Sequence, residues 1–222
     1  MRIWLIIIFN LTGLSLFAQT NARQLIPGAK EQLDVLLNKP AITQPVAVTP
    51  LSKHWFKLET DAHVFTDEVG FKQVAAVLAD VENTTKIFNG KRSKLSANIV
   101  SRDADEIISD FILISIAAMG IHVKTPYHAS TKTTEETESK ITVEIKQLAS
   151  DSASNKAIRD LSSIRYAEEI TIAGKRYTYI RLYALNDVNT SILPGAKGIL
   201  EKNAGPSYLE SLELIIAAAK TR

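Results

Sequence analysis

The chain has 222 residues, 45% of them hydrophobic and 23% charged, with a formal net charge of +2. That is the balance of a folded globular protein, and a charge so near zero sets up no long-range field for nucleic acid or anionic lipid. Cysteine is absent, which excludes a thiol nucleophile, a thiolate metal site, disulfides and a lipid-modified N-terminal cysteine.

Arg2 is followed by an apolar run, Ile3 to Phe17, interrupted only by Asn10, Thr12, Gly13 and Ser15, and Ala18 then precedes Gln19. A basic start, an apolar stretch and a small residue at its end predict a signal peptide over 1–18. The run falls short of the roughly 20 apolar residues that a membrane span takes. The chain is therefore expected to be exported, to the periplasm or as a secreted protein, with no stable membrane span once the signal is cut.

Residues 19–52 read as an N-terminal extension with a Pro-rich linker. Pro27 and Gly28 open a short helix, Ala29 to Leu37, with Leu33, Leu36 and Leu37 on one side. Pro40, Pro45 and Pro50 then recur every five residues, and proline fixes φ and removes a donor. The stretch predicts an extended tether rather than sheet, with the helix either free or docked on the main domain.

The main domain is expected over 53–222. Trp55, Lys57, Glu59 and Asp61 alternate with Phe56, Leu58 and Thr60, the period of a first strand. Thr66, Asp67 and Glu68 then offer a helix cap. Phe71, Val74, Ala75, Leu78 and Val81 follow at helical spacing. Lys94 to Ser101 predicts a strand, and Asp103 to Asp105 a turn. Glu106 to Ile116 is rich in isoleucine and reads as a strand covered on both sides, with a buried helix as the rival. Ile121 to Thr131 and Lys140 to Ser150 predict a hairpin around the polar turn Thr133 to Ser139, and Asp151 to Lys156 a loop. Ser163 to Ile172 and Arg176 to Leu185 flank a three-residue loop, Ala173-Gly174-Lys175. Pro194 starts a helix that Gly205-Pro206 is expected to break, and Ser207 with Glu210 is spaced as a capping box for a second one. Leu209, Leu212, Ile216 and Ala219 give it an apolar stripe.

The fold class is thus α+β: a curved antiparallel sheet of about six to seven strands wrapped around a long C-terminal helix. In this order the chain resembles the START-like, or helix-grip (SRPBCC-type), superfamily. The segment Val77 to Asn83 followed by Ile87-Phe88 looks like the family's early helix end. Asn186 to Pro194 looks like its passage from last strand to final helix. Thr85 stands where a proline is often seen, and no glycine-rich loop joins the strands, so no catalytic residue is carried over. The resemblance implies an apolar cavity between sheet and helix.

Catalytic constellations are weak. Of the four histidines, His54, His63, His122 and His128, the last two fall an even number apart, but no third metal ligand stands at a convincing spacing. There is no Gly-x-Ser-x-Gly elbow and no phosphate loop. No catalytic residue, metal or cofactor is assigned, and no strip of basic and aromatic residues suggests nucleic acid.

Tyr177, Tyr179, Arg181 and Tyr183 alternate along one strand and share a face, with Thr178, Ile180, Leu182 and Ala184 on the other. If the tyrosine row faces inward, it gives a cavity its polar anchors, with Arg181 gripping an oxyanion. If Ile180 and Leu182 face the core instead, the row covers the outside and Arg181 pairs with an acid across the sheet. Tyr127 and Tyr166 are further cavity candidates. The expected function is an exported protein that binds a lipid or other hydrophobic or amphipathic small molecule in an internal cavity. The alternatives are an enzyme using that cavity for acid/base chemistry, or a non-catalytic interaction protein with a filled core. Ligand identity and oligomeric state are not written in the sequence.

Overall fold

Residues 22–42, 46–83, 87–116, 122–149, 156–189, 191 and 196–222 are described by a computed structural model. The expected signal peptide, the helix start at Pro194 and most of the loop at 151–156 lie outside them. Among the described residues no helix is long and apolar enough to cross a membrane.

A 3-10 turn at Lys30–Gln32 runs into α1 (Leu33–Leu36), with Leu36 buried. Strands β1 (Ala41–Ile42) and β2 (Ala47–Pro50) follow. Both pair with β3 (Trp55–Thr66), through Ala41 opposite His63 and Ala47 opposite Glu59. On both sides of residues 43–45 the Pro-rich stretch is therefore sheet, not the expected tether. It tolerates Pro50 because it lies at the margin of the sheet, where a missing donor leaves no partner unsatisfied.

Helix α2 (Phe71–Ala79) buries Phe71, Val74, Val77 and Leu78, the stripe its spacing predicts. Its first turn is closed by the Gln73 side chain, which accepts from the Gly70 amide at 3.0 Å, rather than by Thr66 to Glu68. Strands β4 (Ser93–Arg102), β5 (Glu106–Ile116), β6 (His122–Glu136), β7 (Lys140–Gln147), β8 (Ile158–Ile172) and β9 (Lys175–Asn189) then run antiparallel. The isoleucine-rich segment is strand, as its β-branched content favours. The β8–β9 turn is shorter than expected. Ala173 and Gly174 both take positive φ, 51° and 79°, and Lys175 already begins β9. Two residues of that hand match the twist of the flanking strands.

The strands form one nine-stranded sheet in the order β1-β3-β9-β8-β7-β6-β5-β4, with β2 also on β3. The first strand pairs with the last hairpin, a closure that alternation alone did not specify. The seven strands β3 to β9 match the expected six to seven, and β1 and β2 from the N-terminal segment bring the sheet to nine.

The C-terminal helix, α3 (Ala196–Ala219), is a single helix that runs straight through Pro206. Proline removes one helical donor, and two hydroxyls stitch the surrounding turns: Ser207 Oγ donates to the Asn203 carbonyl at 2.8 Å and Ser211 Oγ to that of Ser207 at 3.0 Å. Gly205 is not a breaker either. A Cβ there would stand 3.2 Å from Ile42 Cδ1, so glycine lets the helix close on β1 and its flank. Glu210 does not cap; it accepts from the amides of Lys91 and Arg92 at 2.8 and 3.0 Å, tying the helix to the loop before β4.

Beneath α3, Leu212, Ile215 and Ala219 pack with Ala62 and Val64 of β3, Ile180 and Leu182 of β9, and Val74 and Leu78 of α2. Each large side chain so buried contributes about 1.5–3 kcal/mol. These contacts join helix, sheet and α2 in one buried apolar cluster.

Candidate ligand site

The strand register carries the α3-facing side across the sheet. Leu182 sits opposite Arg165 of β8, and Arg165 opposite Val143 of β7. Ile145 pairs with Thr131, Ala129 with Ser109, Tyr127 with Phe111, and Phe111 with Ala97. All these side chains share one face, here the inner face. The main packing of α3 is on β3 and α2, at one end of it. At the other end a separate apolar cluster gathers Phe111, Tyr127, Ala129, Ile145 and Ile158 with the half-buried Leu95, Ala97, Leu113 and Leu161. On β4 the inner positions Leu95, Ala97 and Ile99 are only half-buried, although they point toward the same side as the filled core. The inner face is thus buried under the helix and at Ser109 and Phe111 of β5, and incompletely covered over β4 and over Ile107 and Leu113 of β5.

Arg165 lies on this face between the two clusters. It is 7% exposed, and its guanidinium stacks over the Phe88 ring at 4.5 Å. Burial pushes its pKa down to about 10, while the neighbouring Tyr127 and Tyr208 phenols oppose that shift. Among the described residues no carboxylate contributes to its electrostatic surroundings and it makes no ion pair. Burial likewise raises the pKa of the Tyr127 phenol and of Tyr208. Four further buried oxygens on the inner face lack a hydrogen-bond partner among the described residues: Thr60 Oγ1, Ser109 Oγ, Thr131 Oγ1 and Asn186 Oδ1. Buried polar groups of folded proteins are nearly always satisfied, so this concentration on one face is unusual.

A groove of about 400 Å³ opens at the edge of the same face. It is mostly polar and acidic, lined by Asp103, Asp105, Glu106, Glu135 and Glu136 with Arg102, Thr131, Thr133 and Thr134, and only Ala79, Val81, Ala104, Ile107 and Val143 give it apolar surface. Its inner end is one strand from Arg165, because Val143 is the register partner of that residue.

The residues expected from the sequence divide between the faces. Tyr127 is on the inner face, stacked on Phe111 with centroids 5.1 Å apart. Tyr166, Tyr177, Tyr179, Arg181 and Tyr183 are on the opposite face, because Ile180 and Leu182 take the core. There the N-terminal segment covers them. Tyr179 packs with Ala29, Leu36 and Phe65, and its hydroxyl lies 3.3 Å from His63 Nδ1. Arg181 is already engaged: Nε and Nη2 donate to the two Asp61 oxygens at 2.8 and 2.6 Å, and Nη1 to the Gln24 carbonyl at 3.0 Å. Tyr183 donates to Glu59 at 2.9 Å and Tyr166 to Glu168, and Lys175 stands over the half-buried Tyr177 ring. The row fastens the N-terminal segment to the sheet rather than lining the space by the helix. Burial of His63 holds its pKa down to about 4, with Asp61 opposing and Arg181 reinforcing the shift.

The sequence reading missed Arg165. Its strand shows Ile164, Tyr166 and Ile170 on one parity and Ser163, Arg165 and Glu169 on the other, which reads as polar side outward. Both sides are covered, so the parity carried no direction. Among the described residues no three His, Asp or Glu side chains converge as a metal centre. His128 Nδ1 instead meets Asp110 Oδ1 at 2.7 Å.

No family model matches the sequence, and no curated protein matches it. Among solved structures, human STARD10 superposes with a TM-score of 0.50 at 10% identity, over 79% of this chain and 73% of that one. A STAR-related lipid transfer protein fragment from Xanthomonas axonopodis gives 0.49 at 10% identity, over 79% and 99%. The Zhui aromatase/cyclase from a Streptomyces species gives 0.42 at 14% identity, over 76% and 96%. The chain has the START-like, helix-grip fold.

Proposed function

We propose that this is an exported START-like protein that binds a lipid or other hydrophobic small molecule on the inner face of the sheet, over β4 to β7. The observation that carries the reading is the unequal filling of that face. The half next to α3 holds the large buried cluster, while Leu95, Ala97, Ile99 and Leu113 over the other half stay half-buried beside a groove. An apolar chain laid on that wall gains about 0.8 kcal/mol per buried CH₂, so a dozen carbons give tight holding without covalent chemistry. Export rests on the N-terminal run at residues 1–18.

Native mass spectrometry of the purified protein, with organic extraction, tests the reading. An amphipathic adduct is expected, displaceable by added long-chain lipid. A protein that is empty as purified and fails to take up any fluorescent lipid would refute it. Cell fractionation followed by N-terminal sequencing tests export; a cytoplasmic chain retaining Met1 would contradict it.

A further inference from the structure

We infer that Arg165 is the headgroup anchor of this site and that its ligand is an anionic amphiphile, an oxyanion such as a carboxylate or phosphate monoester on an apolar tail; this rests on the binding reading above. Four observations on one face carry the inference. The guanidinium is buried without a carboxylate among the described residues. A charge held that way is costly unless something pairs with it. The Phe88 ring lies against it at 4.5 Å, a cation–π contact that supplies no hydrogen-bond acceptor and so leaves its N–H donors for a partner. Tyr127 and Tyr208 stand beside it as phenols that burial keeps protonated, so they can donate to the same oxyanion. The apolar wall of Phe111, Leu113 and Leu95 runs outward from Tyr127 across β5 and β4, in line for a tail.

The outer-face arginine makes the contrast. Arg181 is equally buried, but Asp61 takes its fork in a two-point pair. Among the described residues the fold thus supplies a counter-ion at Arg181 and none at Arg165.

Titration with cis-parinaric acid and with its methyl ester isolates the charge, since the tails are identical. The wild-type protein is expected to bind the acid on the order of 10- to 100-fold more tightly than the ester. In Arg165→Gln the acid falls to the affinity of the ester while the ester is unchanged; in Arg165→Lys part of the preference returns. Equal binding of acid and ester by the wild type, or an acid preference that survives Arg165→Gln, overturns the anchor and leaves the lipid reading standing. Failure of both probes to bind overturns both. If Arg165→Gln does not fold, the wild-type ratio and Arg165→Lys decide. Competition separates the sources of charge. Dodecyl phosphate and dodecanoate should displace the probe, whereas displacement by inorganic phosphate at the same concentration would show a plain anion site and overturn the amphiphile.

Discussion

Two arginines on adjacent strands face opposite ways and have opposite roles. Arg181 is bound through two donors to Asp61, so Arg181→Ala strips both of these bonds from a partly buried carboxylate and should cost about 3 kcal/mol without changing lipid affinity. Urea unfolding and probe titration on one sample check both halves. Arg165→Met should do the reverse. It removes a buried charge with no carboxylate partner among the described residues and keeps the packing volume, so the ligand-free protein should gain about 1 kcal/mol, a rise of roughly 2–4 °C in Tm for a chain of this size, while the acid loses its advantage over the ester. A fall in Tm by calorimetry would mark Arg165 as an ordinary structural cation. His63 supplies the pH dependence. Its folded pKa of about 4 lies below the usual 6.5, so the unfolded chain binds the extra proton between those values. Stability is complete above pH 6.5 and declines as pH falls toward 4, by up to roughly 3 kcal/mol, within the network of Tyr179, Asp61 and Arg181. His63→Gln should flatten that slope in urea midpoints measured from pH 7 to 4.5; an unchanged slope would place its origin elsewhere.

At the scale of elements, local chemistry was legible and partner choice was not. Alternation at Trp55 to Asp61 and at Lys94 to Ser101 marked strands, and the spacing of Phe71, Val74 and Leu78 marked a helix, because each pattern is set by one buried side. The Pro-rich stretch misled because proline is compatible with both a tether and a sheet margin, and only β3 decides between them. Gly205-Pro206 misled because its breaker chemistry is offset by the Ser207 and Ser211 hydroxyls and by contact with Ile42. Glu210 shows how far such tertiary roles reach. A Cβ on Gly90 would lie 2.4 Å from Glu210 Oε2 and displace the carboxylate from the Lys91 and Arg92 amides. Gly90→Ala should therefore destabilise by about 1–2 kcal/mol. In a Glu210→Ala background the same change should cost nearly nothing, because the clash and the bonds are gone together. A double-mutant cycle by chemical denaturation measures this, and strict additivity would contradict it.

For the whole molecule, the decisive feature is a sheet covered on both faces by different parts of the chain. The N-terminal segment fills the outer face through Leu36, Phe65 and Tyr179, and α3 fills one end of the inner face through Leu212 and Ile215. That double cover is why the tyrosine row, so regular in sequence, turned out to fasten a strap, and why a polar-looking parity on β8 points into the molecule. The order of strand, helix, antiparallel strands and terminal helix was enough to reach the helix-grip fold; the direction each strand faces depended on a segment that sequence alone made a linker. The account comes to rest on the incompletely covered inner face over β4 and β5. Photo-crosslinking with a fatty acid carrying a diazirine near its tail end, followed by peptide mapping, tests it most directly. Labelling concentrated on inner-face residues of β4 and β5 such as Leu95 and Leu113, and abolished by excess unlabelled fatty acid, is the predicted result. Saturable labelling on the outer face around Tyr177 to Tyr183, or no saturable labelling at all, would contradict it.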